Sequence, residues 1–248
     1  MTLIFPIAAA FLGLLFGSFI ATLVLRWPEG RSVLRGRSAC DGCGVILRPH
    51  ELLPLASYVL AHGKCRHCSA KINALHWQVE LAGAVIGALS LTVAPDFVGW
   101  SGALFGWLML TLALLDLRHF WLPDRLSGLV AGSGLIAGLV GLTPDLADRI
   151  IGGVAGSGSL ALIALAYRLV RKREGIGGGD PKLFGAIGLW LGWQALPMVL
   201  LTGSLGGLIW AGCLVLRGAR IAATDRLPLG TLLAIAGFGA WLCQNQNG

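Results

Sequence analysis

Residues 183–216 read LFGAIGLWLGWQALPMVLLTGSLGGLIWAGCLVL, 34 positions without a charged side chain. A helix crosses the hydrocarbon core of a bilayer in about 20 residues, so this run is too long for one crossing and just long enough for two. Gly192-Trp193-Gln194-Ala195-Leu196-Pro197 is the turn-like break inside it. Outward from this run, apolar stretches at residues 3–25, 74–94, 97–115, 126–142, 150–167 and 227–243 bring the expected number of spans to eight. The predicted fold class is an all-α polytopic membrane protein of about eight transmembrane helices.

Composition and charge placement agree. Of 248 residues, 56% are hydrophobic and 12% charged, with a mean hydropathy of +0.77. Soluble domains carry about 25% charged residues, so soluble domains, disorder and a disulfide-rich secreted scaffold are all excluded. The net charge of +7 invites a nucleic-acid reading, but its location argues otherwise. With the loop after the first span placed inside, segments 26–73, 116–125, 168–182 and 217–226 hold every Lys and Arg except Arg149. This is the positive-inside rule, with both termini outside. The charge reports topology, and nucleic acid is not an expected partner. The first span lacks a basic segment before it and reads as a retained helix rather than a removed signal peptide. Glycine pairs four apart, such as Gly13/Gly17 and Gly152/Gly156, suit close helix contacts.

Three regions follow: a first transmembrane helix (1–25), a cytoplasmic four-cysteine zinc-binding domain (26–73), and a seven-helix membrane domain carrying the chemistry (74–248). The loop holds Cys40-Asp41-Gly42-Cys43 and, after 21 residues, Cys65-Arg66-His67-Cys68. Two such knuckles suit a tetrahedral, structural zinc, because four thiolates leave no open position for water. A segment of this size also needs a staple to fold alone. His67 sits inside the second knuckle as a bystander. Cys213 and Cys243, in apolar spans, read as small buried hydrophobes.

Ionisable groups within or beside a span are functional candidates. Asp116 ends the third span, and Asp180 ends Gly177-Gly178-Gly179-Asp180 immediately before Pro181 and Lys182 start the sixth. The three glycines permit positive φ and close backbone approach. Both acids are expected at the same depth and on the inside. Two carboxyls brought together share one proton; one then acts as base toward water while the other polarises a carbonyl, which is aspartic-protease chemistry without metal or cofactor. Asp124 reads either as the cap of the fourth span or as a substrate contact, and Glu80 as paired with a cation or turned to the cleft.

The segment Glu174-Gly-Ile-Gly-Gly-Gly-Asp180-Pro-Lys-Leu183 resembles the GxGD motif of the bacterial type IV prepilin peptidases. Asp116 with Trp121-Leu122-Pro123-Asp124 is similar to their first aspartate and downstream LPD element. Gly17-Ser18-Phe19, the two knuckles, Glu51-Leu-Leu-Pro54 and Val79-Glu80 match further landmarks in order. The resemblance covers most of the chain. It implies a membrane aspartic endopeptidase of the bacterial inner membrane with Asp116 and Asp180 as the catalytic pair. Gly177, Gly178, Gly179, Glu174, Asp124, Lys182 and Glu80 become substrate-site candidates. The implied substrates are precursors of type IV pilins and type II secretion pseudopilins, cut after a short basic leader. Family members with the four cysteines commonly also methylate the new N-terminus from S-adenosylmethionine. The alternatives are a proton-coupled transporter, disfavoured because the acids lie at an edge without repeated halves, and a scaffold docking through its zinc loop.

Overall fold

The computed structural model of the chain describes residues 3–33, 37–173, 175–218 and 227–246. Arg35, Arg220 and Arg226 of the charge pattern, and the candidate Glu174, lie outside them. Among the described residues there are nine α-helices: α1 (Ile4–Arg26), α2 (Ala56–Leu60), α3 (Leu75–Val93), α4 (Phe97–His119), α5 (Asp124–Leu139), α6 (Leu146–Arg171), α7 (Asp180–Leu191), α8 (Leu196–Leu216) and α9 (Leu229–Asn245). No strand forms among them; Ala39 with Ile46 and Lys64 with Lys71 make isolated bridges.

The long uncharged run divides where its sequence turns. α7 stops at Gly192, whose φ of 77° and ψ of 170° suit only a residue without Cβ. A 3-10 turn over Trp193–Ala195 then leads into α8, with Pro197 in its first turn. Among the described residues four helical stretches are long and apolar enough to cross a membrane: Ile4–Glu29, Phe97–His119, Leu146–Arg171 and Trp193–Leu216. α7, with 12 residues, rises only about 18 Å at 1.5 Å per residue, against a hydrocarbon core of about 30 Å. α5 and α9, of 16 and 17 residues, are also short. α3 has 19 residues but carries His76, Gln78 and Glu80 in its first half. Length and apolarity therefore support four crossing helices.

The chain forms two compact units, Met1–Trp107 and Leu108–Gly248. In the first, α1 lies along α3 at backbone contact: a Cβ at Gly17 would stand 2.5 Å from Glu80 Cα, and Gly13 meets Gly83. Trp107 donates its indole N–H to Gly83 O at 2.9 Å and stacks on Phe16, tying the middle of α4 to the same seam.

In the second unit α7 is central, packed by α5, α6 and α9, with Leu183, Phe184, Ile187, Trp190 and Leu191 buried. Arg149, the basic residue that broke the charge pattern, is 1% exposed. It spreads its guanidinium over six backbone carbonyls: Gly134, Leu142, Thr143, Pro144, Leu189 and Trp190, at 2.8–3.2 Å. The last carbonyls of a helix have no partner within it, so this side chain caps α7 and fixes the turn after α5. Cys213 and Cys243 are exposed, which corrects their reading as buried. In a membrane helix apolarity marks the lipid face as readily as the core, and Leu208, Ile209 and Leu216 on α8 are exposed alongside.

Candidate active site and metal centre

Asp116 sits in the last turn of α4 and is 5% exposed. Its Oδ2 accepts the backbone N–H of Thr231 at 2.7 Å and faces the Thr231 hydroxyl at 3.1 Å. Thr231 lies in the first turn of α9, where backbone N–H groups have no intrahelical acceptor and the helix dipole favours negative charge. The carboxylate supplies both needs. Gly230 makes the approach feasible, since a Cβ there would stand 3.0 Å from Asp116 Oδ2. The Thr231 hydroxyl also lies 2.9 Å from Ala113 O, so its single proton serves two acceptors.

Asp180 is the first residue of α7 and is 6% exposed. It does not cap its own helix. Its Oδ2 accepts the N–H of Gly177 at 2.9 Å, while its own N–H donates to Gly177 O at 3.1 Å, closing the glycine segment into a tight ring. The expected positive φ is not found at Gly177, Gly178 or Gly179. Two of them are small for lack of room instead: a Cβ at Gly179 would meet Leu122 Cβ at 2.7 Å, and one at Gly177 would meet Asp180 Oδ2 at 3.0 Å. Gly178 has open space around it. The side chain of Leu122 touches both Gly179 and Gly230, so it packs between the two aspartate-bearing corners, and Asp180 lies within the field of the Asp116 charge.

The unit thus brings together Asp116, Asp180, Gly177, Gly179, Leu122 and Thr231. Thr231, Gly230 and Leu122 were missed as site residues, although Pro228 before a final apolar run is a recognisable helix start. Asp124 makes no capping hydrogen bond, which corrects the capping alternative; it pairs with Lys182 at 2.7 Å, both side chains more than half exposed. Such a pair contributes under about 1 kcal/mol and remains free to exchange partners. Glu80, in the Met1–Trp107 unit, is 5% exposed and accepts the N–H of Leu55 at 2.8 Å. No ion pair to it occurs among the described residues, so the expected cation partner is not there.

The four loop cysteines gather as their spacing predicts. The Sγ atoms of Cys40, Cys43, Cys65 and Cys68 lie within 4.8 Å of one another, the only group of metal-ligating side chains among the described residues. Cys40 and Cys68 are 3.8 Å apart, and tetrahedral thiolates at about 2.3 Å from zinc have edges of about 3.8 Å. The site fits a metal ion of that kind. Gly42 N–H points at Cys40 Sγ and His67 N–H at Cys65 Sγ, each at 3.4 Å. The N–H groups of His67 and Cys68 hold the Cys65 thiol down to about 6. His67 itself faces Glu51 at 3.8 Å rather than joining the thiols.

Residues 11–94 match the family model described as the bacterial peptidase A24 N-terminal domain, and residues 103–212 that of the type IV leader peptidase family. A Pseudomonas aeruginosa protein named prepilin leader peptidase/N-methyltransferase is 36% identical over 98% of this chain and 92% of its own length. One of the same name from Aeromonas hydrophila is 38% identical over 83% of this chain and 71% of its own. An Escherichia coli protein named type 4 prepilin-like proteins leader peptide-processing enzyme is 33% identical over 94% and 92%. No solved structure gives a significant match.

Proposed function

We propose the following activity for a chain that belongs to the type IV leader peptidase family: it is an enzyme that removes the basic leader from type IV prepilins and type II secretion pseudopilins at the cytoplasmic edge of the bacterial inner membrane, then methylates the amine so exposed. The observation that carries the proteolytic half is the pair of buried carboxyls, Asp116 and Asp180, on separate helices with Leu122 between their corners.

The pair shares one proton, since two desolvated carboxylates in each other's field do not both ionise cheaply. The negative charge rests on Asp116, where the N–H and hydroxyl of Thr231 converge on one oxygen. Asp180, with a single donor, carries the proton. Asp116 takes a proton from water as that water's oxygen bonds to the scissile carbonyl carbon, while Asp180 protonates the carbonyl oxygen. Return of a proton to the amide nitrogen breaks the C–N bond, releasing the leader as a carboxylic acid and the pilin as a free amine. The open backbone at Gly178 leaves room for an extended substrate strand. Asp124, Lys182 and Glu174 are the proposed contacts for the leader.

A basic leader joined to an apolar helix puts its scissile bond at the inner membrane edge. That suits eight crossing segments with both termini periplasmic, the arrangement the Lys and Arg pattern favours. Zinc on the four thiolates staples the loop and takes no part in proteolysis. S-adenosylmethionine is the methyl donor the second activity calls for, supplying an electrophilic methyl on a sulfonium.

Coexpression with a pilin precursor, read by the gel shift that leader loss produces, tests the proteolytic half. Asp116→Asn and Asp180→Asn are each expected to lose about 10³-fold or more of processing with membrane abundance unchanged. Processing at the wild-type rate by either variant would remove the mechanism.

A further inference from the structure

Asp124 and Lys182 pair in the open beside the buried aspartates, and neither side chain serves its own helix. Lys182 is two residues past Asp180, in the first turn of α7, where the helix dipole opposes a cation. Asp124 opens α5 without a capping hydrogen bond, so the N–H groups of that turn do not engage its charge. Two residues before it, Leu122 packs on Gly179, the neighbour of Asp180. The 2.7 Å contact between Lys182 Nζ and Asp124 Oδ1 therefore stands at the same corner as Asp180, with the two side chains 56% and 71% exposed.

The surrounding charges single Asp124 out. Arg118, His119 and Arg125, on the segments that flank it, are exposed. Of the other carboxyls described in residues 108–248, Asp116 and Asp180 are buried. Asp145 and Asp148 lie at the start of α6, where Asp148 holds Trp193 and Gln194 beyond the opposite end of α7 from Asp180. Among the described residues of this unit, Asp124 is thus the exposed carboxyl at the aspartate end. A cationic leader approaching the aspartates meets this acid and finds it already holding a lysine. An exposed ion pair is weak, so one cation replaces another there at little cost. A neutral leader has nothing to offer Asp124 and leaves the pair closed.

We propose that Lys182 is a built-in competitor at Asp124 and that the pair sets the preference for a cationic leader. A leader Lys or Arg displaces the Lys182 ammonium from Asp124, which frees that ammonium to donate to a leader carbonyl. This rests on the proteolytic half of the function proposed above and deepens it: the two side chains select the leader and take no part at the reacting atoms.

The test is leader removal by the detergent-solubilised full-length protein from two substrates, a type IV pilin precursor with its basic leader and the same precursor with every leader Lys and Arg changed to Gln. The quantity read is the ratio of KM for the neutral leader to KM for the basic one, which cancels contacts that both share. The wild-type ratio should be about threefold or more. Lys182→Met, which removes the competitor, should widen it by about a further 2–5-fold. Asp124→Asn, which removes the acid, should bring it to one or below. Lys182→Arg, which keeps a cation against Asp124, should hold the wild-type ratio. A pair that only braced the corner would shift both KM values alike, so an unchanged ratio in Lys182→Met or in Asp124→Asn overturns the proposal, as does a ratio widened equally in Lys182→Arg. Lys182→Met decides alone if Asp124→Asn fails to accumulate in the membrane. Equal KM for the two leaders in the wild type overturns the selection site while proteolysis stands; a wild-type protein that cuts neither precursor overturns the peptidase reading itself.

Discussion

Thr231 differs from the two aspartates in how it could be found. Asp116 and Asp180 were legible because a carboxyl in an apolar stretch is expensive and so rarely incidental. A threonine in an apolar helix is ordinary, and nothing in residues 227–243 set Thr231 apart until α9 brought its first turn onto Asp116 Oδ2. Its hydroxyl is one of two donors to that oxygen, and a hydrogen bond to a charged group is worth about 1.5–3 kcal/mol. Thr231→Val is therefore expected to slow leader removal by about 10–100-fold, whereas Thr231→Ser, which restores the hydroxyl, stays within a few-fold of wild type. Single-turnover cleavage rates decide it: equal rates in the valine and serine variants would reduce Thr231 to packing.

Among the elements, the break in the uncharged run was predictable because Gly192 and Pro197 are residues the chain uses to turn. The glycine segment before Asp180 was singled out for a partly mistaken reason. Glycine serves either an unusual φ or a lack of room, and sequence does not tell which; here Leu122 against Gly179 makes it room. The gathering of the loop cysteines was legible, since the spacing of two CxxC knuckles suits four ligands around one tetrahedral ion. Cys40→Ser or Cys65→Ser should drop bound zinc from about one per chain to near none, measured by metal analysis of purified protein. Full zinc content in both variants would contradict the four-thiolate centre.

At the scale of the whole molecule, the charge pattern left Arg149 as its one exception. The structure accounts for it, because a buried guanidinium satisfying six carbonyls is a structural clamp rather than a topological signal. Methionine at this position would fill similar space and supply no donor. Arg149→Met is expected to cost about 3 kcal/mol and to lower the melting temperature by roughly 6–12 °C in a thermal melt of the detergent-solubilised protein; an unchanged melting temperature would show the clamp carries no stability. The span count was only partly legible. Apolar length on its own does not reveal that a 12-residue helix such as α7 is buried by its neighbours. That placement puts Asp180 where α5, α6 and α9 enclose its helix, and it is what makes a carboxyl pair feasible at all. The most direct test of that pair is the leader-cleavage rate of Asp116→Asn, Asp180→Asn and the double variant under single-turnover conditions. Two groups acting as one unit predict that the double variant is no slower than the slower single variant, whereas a loss equal to the product of the two single losses would show independent residues and contradict the account.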